Sequence, residues 1–187
     1  MNFLEDIMEA TTAPLFQADA QPSEAAIDLP ETKAACIVAI DPGLTGAVAF
    51  YFPSAPDRIA VEDMPVVNGE VDVHGLERMF RRMGATRGVI ELVGPMPKDG
   101  AVQAFKFGMA FGMARTALAL THLPFAMVTP QTWKRHHGLI GKADPKEAGR
   151  ALAIRLFPAC SEHFARKKDH GRADAALLAR YAAEALR

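Results

Sequence analysis

Residues 34–50 read AACIVAIDPGLTGAVAF, and the fold follows from how this stretch is parsed. AACIVAI is an unbroken apolar run of the kind that forms a strand buried on both faces. It stops at Asp41, an acid where the run would otherwise continue. PGLTG supplies two glycines and a proline for a turn, and AVAFYF then reads as a second strand, joined to the first as a hairpin. A third strand is expected from Arg58 to Met64.

Further along, VHGLERMFRRMG (73–84) places Leu76, Met79, Phe80 and Met83 on one face of an amphipathic helix. RGVIEL (87–92) is a short buried strand carrying Glu91. A long helical stretch runs from about 101 to 121, with Gly108 and Gly112 on one face, where another backbone could approach closely. PFAMVT (124–129) reads as a strand. Asp144, Pro145 and Glu147 form a helix start with an N-cap, a first-turn proline and a capping-box acid, and that helix runs to about Phe157. The last helix, about 171–186, follows the basic turn RKKDHGR. Three strands in a meander, then alternating helices and strands, predict an α/β fold with a mixed five-stranded sheet flanked by helices on both faces.

The chain has 187 residues, half of them hydrophobic, enough for one domain with a real core. No apolar run approaches the roughly 20 residues needed to span a bilayer. The acidic start MNFLEDIMEA lacks the basic region of a signal peptide, so a cytoplasmic protein without membrane contact is expected. Cys36 and Cys160 lie in no metal-binding or redox pattern and read as reduced packing residues.

Charge is unevenly spread. Of 21 basic and 22 acidic residues, one base and seven acids fall in residues 1–33, leaving 20 and 15 in 34–187. Residues 106–187 alone hold 14 bases and 6 acids. A near-neutral total therefore does not exclude a polyanionic partner. Residues 1–33, rich in Ala, Pro and acids, have the composition of a disordered arm. Phe3, Leu4, Ile7 and Met8 have helical spacing there, which would suit docking on a protein partner or a frayed terminus.

Asp41 and Glu91 are acids inside apolar strands, and buried carboxylates are costly unless paired, hydrogen-bonded or bound to a metal. Each alone could be satisfied by loop amides; together they point to a shared cation. Asp174, in the first turns of the last helix, lies four residues after His170 and five after Asp169. Asp169 reads equally as an N-cap. Carboxylates from two strands and a helix can hold two magnesium ions, with manganese able to substitute. Such a pair serves phosphodiester cleavage by activating water and stabilising the leaving oxygen.

These stretches carry a resemblance. IVAIDPGLTGAVAF and GVIELVGPMPKDG are similar to the first and second acid motifs of RuvC-like Holliday junction resolvases, within the ribonuclease H-like superfamily. The stretch from Met96 through Trp133-Lys134 to KKDHGRADAALLA looks most like the chloroplast-type and related bacterial or phage members. The resemblance covers residues 34–187. It implies a magnesium-dependent endonuclease that resolves four-way DNA junctions by paired symmetric nicks, acting in DNA recombination and repair as a homodimer.

By that resemblance Asp41, Glu91 and Asp174 are the metal-binding acids. His170 completes the site as ligand or water activator, although three residues rather than two separate it from Asp174, and Asp169 is the substitute. Lys134 matches a basic position at the end of a family strand, with Arg135 beside it. Lys142 or Lys146 would approach the scissile phosphate, and Lys98, Lys167, Lys168 and Arg172 would contact the DNA backbone. Phe105, Phe107 and Phe111 begin the helix through which such resolvases dimerise, beside a loop that carries a wedge; core packing is the alternative for each. Other functions compatible with parts of the pattern are a ribonuclease H-like nuclease acting on branched DNA, single strands or RNA, an actin-like ATP-binding loop at DPGLTG, and a non-catalytic DNA-binding relic.

Overall fold

The computed structural model describes residues 35–94 and 100–186. The acidic segment 1–33 and Lys98, with the loop 95–99 that carries it, lie outside the described residues.

The expected meander forms from β1 (Ile37–Asp41), β2 (Ala47–Tyr51) and β3 (Ile59–Asp63). A two-residue pair follows, β4 (Val66–Val67) with β5 (Glu70–Val71). Its turn is Asn68-Gly69, both with positive φ (53° and 79°), as a type I′ turn requires. The sequence reading passed over this hairpin because its strands are too short to show alternation. Then come α1 (Val73–Met83), β6 (Arg87–Glu91), α2 (Ala101–Leu120) and β7 (Phe125–Val128).

The main sheet has the order β3-β2-β1-β6-β7. β1 runs antiparallel to β2 and parallel to β6, and β6 is parallel to β7. Side chains alternate across a strand, so β1 divides its residues between two cores. Val38 and Ile40, with Val48, Phe50 and Ile90, pack under α1 and α2. Ile37 and Ala39, with Ala49, Val61 and Val89, pack against the opposite layer.

That opposite layer is built by α3 (Pro130–His136), α4 (Pro145–Leu156) and α5 (His170–Ala185), with 3-10 turns at Pro158–Phe164 and Lys167–Asp169. The buried face of α5 is mostly alanine: Ala173, Ala175, Ala176, Ala179 and Ala182. Small side chains let the helix lie close over β1 and β2, its main neighbours. Arg87 at the start of β6 secures the other end of α5, donating to the carbonyls of Leu186 (2.6 Å) and Ala182 (3.2 Å). The Ala182 carbonyl also accepts from the Leu186 amide at 3.2 Å, so the guanidinium adds a second donor there and supplies one to Leu186, the C-cap.

One expectation changes. The residues around Lys134 form a helix, α3, and not a strand end. Thr129 caps it, accepting from the Thr132 amide, and Pro130 takes the first position. Thr129 as cap and Pro130 at the first position are the local signals for this helix. Gly108 and Gly112 face solvent: a Cβ at either would meet nothing within 4 Å. Among the described residues no backbone uses the close approach they offer. The start of α4 is as expected, with Asp144 accepting from the Glu147 amide at 3.1 Å. Glu147 itself pairs with Arg150.

Candidate active site

Asp41 ends β1 and Glu91 ends β6, and the parallel register pairs Ile40 with Ile90 immediately before them. Adjacent strands lie about 4.8 Å apart. Two steps beyond Ala39 and Val89, both acids project toward the α5 side of the sheet. Glu91 is only 7% exposed. The turn after Asp41 closes through the Gly46 amide donating to the Gly43 carbonyl at 3.1 Å. Gly43 holds φ +133°, and a Cβ at Gly46 would lie 2.1 Å from the Asp41 carbonyl oxygen. The two glycines of DPGLTG thus set where Asp41 points.

Asp174 arrives from the first turns of α5. The helix can come this near because position 171 is glycine: a Cβ there would lie 3.1 Å from Asp41 Oδ2 and 3.2 Å from the Thr45 carbonyl. On the other side Gly149 of α4 sits against Asp174, its would-be Cβ 3.4 Å from Oδ1. Lys134 Nζ lies 3.6 Å from Asp174 Oδ2. The ammonium also stacks over the Trp133 ring, 4.9 Å from its centroid. Trp133 Nε1 donates to Glu91 Oε1 at 2.8 Å.

Burial raises the pKa of all three acids. Asp41 is pushed well above the usual aspartate value, first by desolvation and then by the charges of Glu91 and Asp174. Glu91 rises for the same first reason, with the Trp133 hydrogen bond and Lys134 opposing. Asp174 rises by burial against the pull of Lys134, His170 and Lys146. The three acids therefore feel one another across one small volume. Among the described residues no three His, Cys, Asp or Glu side chains already stand as a ready ion site.

A carboxyl whose folded pKa exceeds its unfolded value is stabilising below the unfolded pKa, and that contribution is lost as pH rises through the folded one. In chelator, stability relative to Asp41→Asn should therefore fall as pH rises from the acid range to neutrality. Urea midpoints for both proteins across that range are the check; a constant difference would contradict it.

The remaining candidates separate by position. His170 opens α5, one turn before Asp174, and its charge reaches that carboxylate. Asp169, 3% exposed, is held by Arg166 through the backbone amide (2.8 Å) and the guanidinium (2.8 Å). It caps the preceding 3-10 turn, and its side chain does not cap α5. Lys146, at the start of α4, acts electrostatically on both Asp41 and Asp174. Lys142 is exposed in the loop before α4.

Arg172 makes a bidentate pair with Asp63 at 2.6 and 2.8 Å, locking α5 to the end of β3. Lys167, Lys168 and Arg135 are exposed. Phe105 is 69% exposed, so core packing is not its role, whereas Phe111 packs against the core under α1 and α2. Phe107 rests near Gly43 of the Asp41 turn.

Trp133 is the residue the sequence reading missed as part of the site. The signal was there: the chain's single tryptophan is wholly buried, and a buried indole N–H needs an acceptor.

A five-stranded mixed sheet with acids at the ends of its first and fourth strands, and a third on the last helix, has the architecture of the ribonuclease H-like fold. Among solved structures the chain is similar to Thermus thermophilus RuvC in complex with a Holliday junction substrate. The TM-score is 0.58 at 18% identity, over 80% of this chain and 92% of that one. A second Thermus thermophilus RuvC structure aligns at TM-score 0.55 and 17% identity, covering 80% and 95%. In sequence it is 35% identical over 98 residues to the chloroplastic Holliday junction resolvase MOC1 of Chlamydomonas reinhardtii. That match takes in 52% of this chain and 11% of the relative, so the chain spans about a tenth of that protein's length. No family model matches. Among the described residues no helix is long and apolar enough to cross a membrane.

Proposed function

We propose that residues 34–187 form a divalent-metal-dependent endonuclease that resolves four-way DNA junctions as a homodimer. The observation that carries this reading is the convergence of Asp41, Glu91 and Asp174 on one face of the sheet. Three desolvated carboxylates, with Lys134 the nearest counter-charge, are an electrostatically unfavourable set that a cation would relieve. Their all-oxygen donor chemistry fits magnesium, with manganese as a substitute.

Asp41, Glu91 and Asp174 would hold two such ions, with His170 completing the set. Asp169 is the weaker candidate because Arg166 occupies it. When bound, the ions supply an activated water and stabilise the departing oxygen of the phosphodiester. Lys134 and Lys146 are placed to neutralise a phosphate brought to the acids. Lys142, Lys167, Lys168 and Arg135 are free-facing bases for the DNA backbone further out, and Arg172 would first have to leave Asp63. Lys98 remains a backbone-contact candidate from the sequence alone.

Dimerisation is assigned to α2. Its exposed face presents Val102, Phe105 and Leu120 together with the open Gly108 and Gly112. A helix apolar on all sides is ordinarily buried on all sides. Two-fold pairing would present two sites to the two strands of a symmetric junction.

The test is cleavage of a labelled synthetic four-way junction, with flap, single-stranded and RNA–DNA substrates alongside. Paired symmetric nicks in magnesium but not calcium are expected. A preference for any other substrate would replace the junction reading with that of another ribonuclease H-like nuclease. Lys146→Ala is expected to weaken binding to all junction sequences alike and to reduce the slope of log affinity against log salt by about 1. Fluorescence anisotropy at several salt concentrations measures this.

A further inference from the structure

Resting on the metal-site reading above, we propose that Trp133 is a positioning residue, whose indole N–H fixes the Glu91 carboxylate in the orientation that receives the cation. The route from sequence to this contact is short. Val128 of β7 is the register partner of Glu91, and the Leu92 amide donates to the Val128 carbonyl at 2.8 Å. Thr129 caps the next helix and Pro130 starts it, so the chain turns back over the sheet end at once. One turn later Trp133 lies above the acid, with its Nε1 2.8 Å from Oε1.

Packing alone does not account for a tryptophan here. The site belongs to an otherwise apolar cluster that includes Leu139, Phe157 and Leu177. A phenylalanine could fill much of that space without a polar atom to satisfy. The indole brings one donor, and that donor goes to Glu91, which is 7% exposed. A hydrogen bond to an ionised acceptor is about twice as strong as one between neutral groups. It removes rotational freedom from a carboxylate that would otherwise choose among rotamers. The next residue continues the arrangement: Lys134 lies over the same ring and pairs with Asp174. The Trp133-Lys134 step therefore ties Glu91 on the sheet to Asp174 on α5. Outer groups that orient metal ligands typically contribute about 10–100-fold to metal affinity.

The test uses the full chain and manganese alone, with binding read by calorimetry and folding by thermal unfolding. Trp133→Phe should bind manganese about 10–100-fold more weakly while still unfolding cooperatively. Because the chain has one tryptophan, biosynthetic replacement by benzothienylalanine gives the same shape without the N–H. It decides the matter if the phenylalanine variant is destabilised. Manganese should also quench Trp133 emission in the unsubstituted protein, following the calorimetric curve. Unchanged manganese affinity in the isosteric protein, or no change in emission through saturation, overturns the positioning role and leaves the metal site standing. No manganese binding by the unsubstituted protein overturns the metal reading and this role with it.

Discussion

Asp41→Asn is expected to lower junction cleavage by at least about 1,000-fold, equivalent to about 4 kcal/mol of transition-state stabilisation, while junction binding survives. The same substitution is expected to stabilise the ion-free protein. Asp41 is desolvated and repelled by Glu91 and Asp174, with Lys134 and Lys146 opposing. An asparagine keeps the shape and removes the charge. Relief of one uncompensated buried charge is worth at least about 1 kcal/mol, or about 2–4 °C in Tm for a domain of this size. A variant that lost activity and stability together would indicate that Asp41 holds the turn and does not serve an ion. Gel assays of cleavage and binding, with calorimetric unfolding in chelator, separate the two outcomes.

Gly46→Ala is expected to be nearly as damaging by a different route. The added Cβ would fall 2.1 Å from the Asp41 carbonyl oxygen, a backbone atom with no rotamer to retreat into. The Gly46 carbonyl also accepts from the Met64 amide at 3.0 Å, so a shifted turn pulls on the end of β3. Relaxation must come from the β1–β2 turn, at a cost of about 3 kcal/mol or more. Cleavage should fall with it, because the turn aims Asp41. Leu44→Ala, at an exposed position of the same loop, is the control and should leave stability within about 0.5 kcal/mol. Urea unfolding of both variants checks the contrast; equal effects would mean the turn tolerates a Cβ.

Much of this site was readable from composition and order alone. A short unbroken apolar run followed by a glycine-rich turn reads as a strand covered on both faces, so an acid at its end stands out without any coordinates. The same reasoning reached Glu91. The Asp144-Pro145 helix start was equally plain, because capping depends on residues three apart. Lys146, which begins that helix, could not be ranked above Lys142: both are lysines in a basic stretch, and only the path of α4 brings one of them to the acids. In the sequence Asp174 stood as one of the three metal-binding acids and Asp169 as an N-cap or the substitute for His170. The 3-10 turn gives Asp169 to Arg166 and leaves Asp174 facing the sheet.

The sequence by itself determined the five strands of the main sheet, the longer helices α1, α2, α4 and α5, and the acids at two strand ends. Each of these is encoded within a few residues, by hydropathy period, turn glycines and caps. Only the tertiary structure decided which side chains surround those acids. Trp133 reaches Glu91 from 42 positions away and Lys134 reaches Asp174 from 40, distances over which no local pattern carries information. Such contacts are fixed by the close packing of α3 and α5 over the sheet, where alanines and glycines set how near each helix can lie.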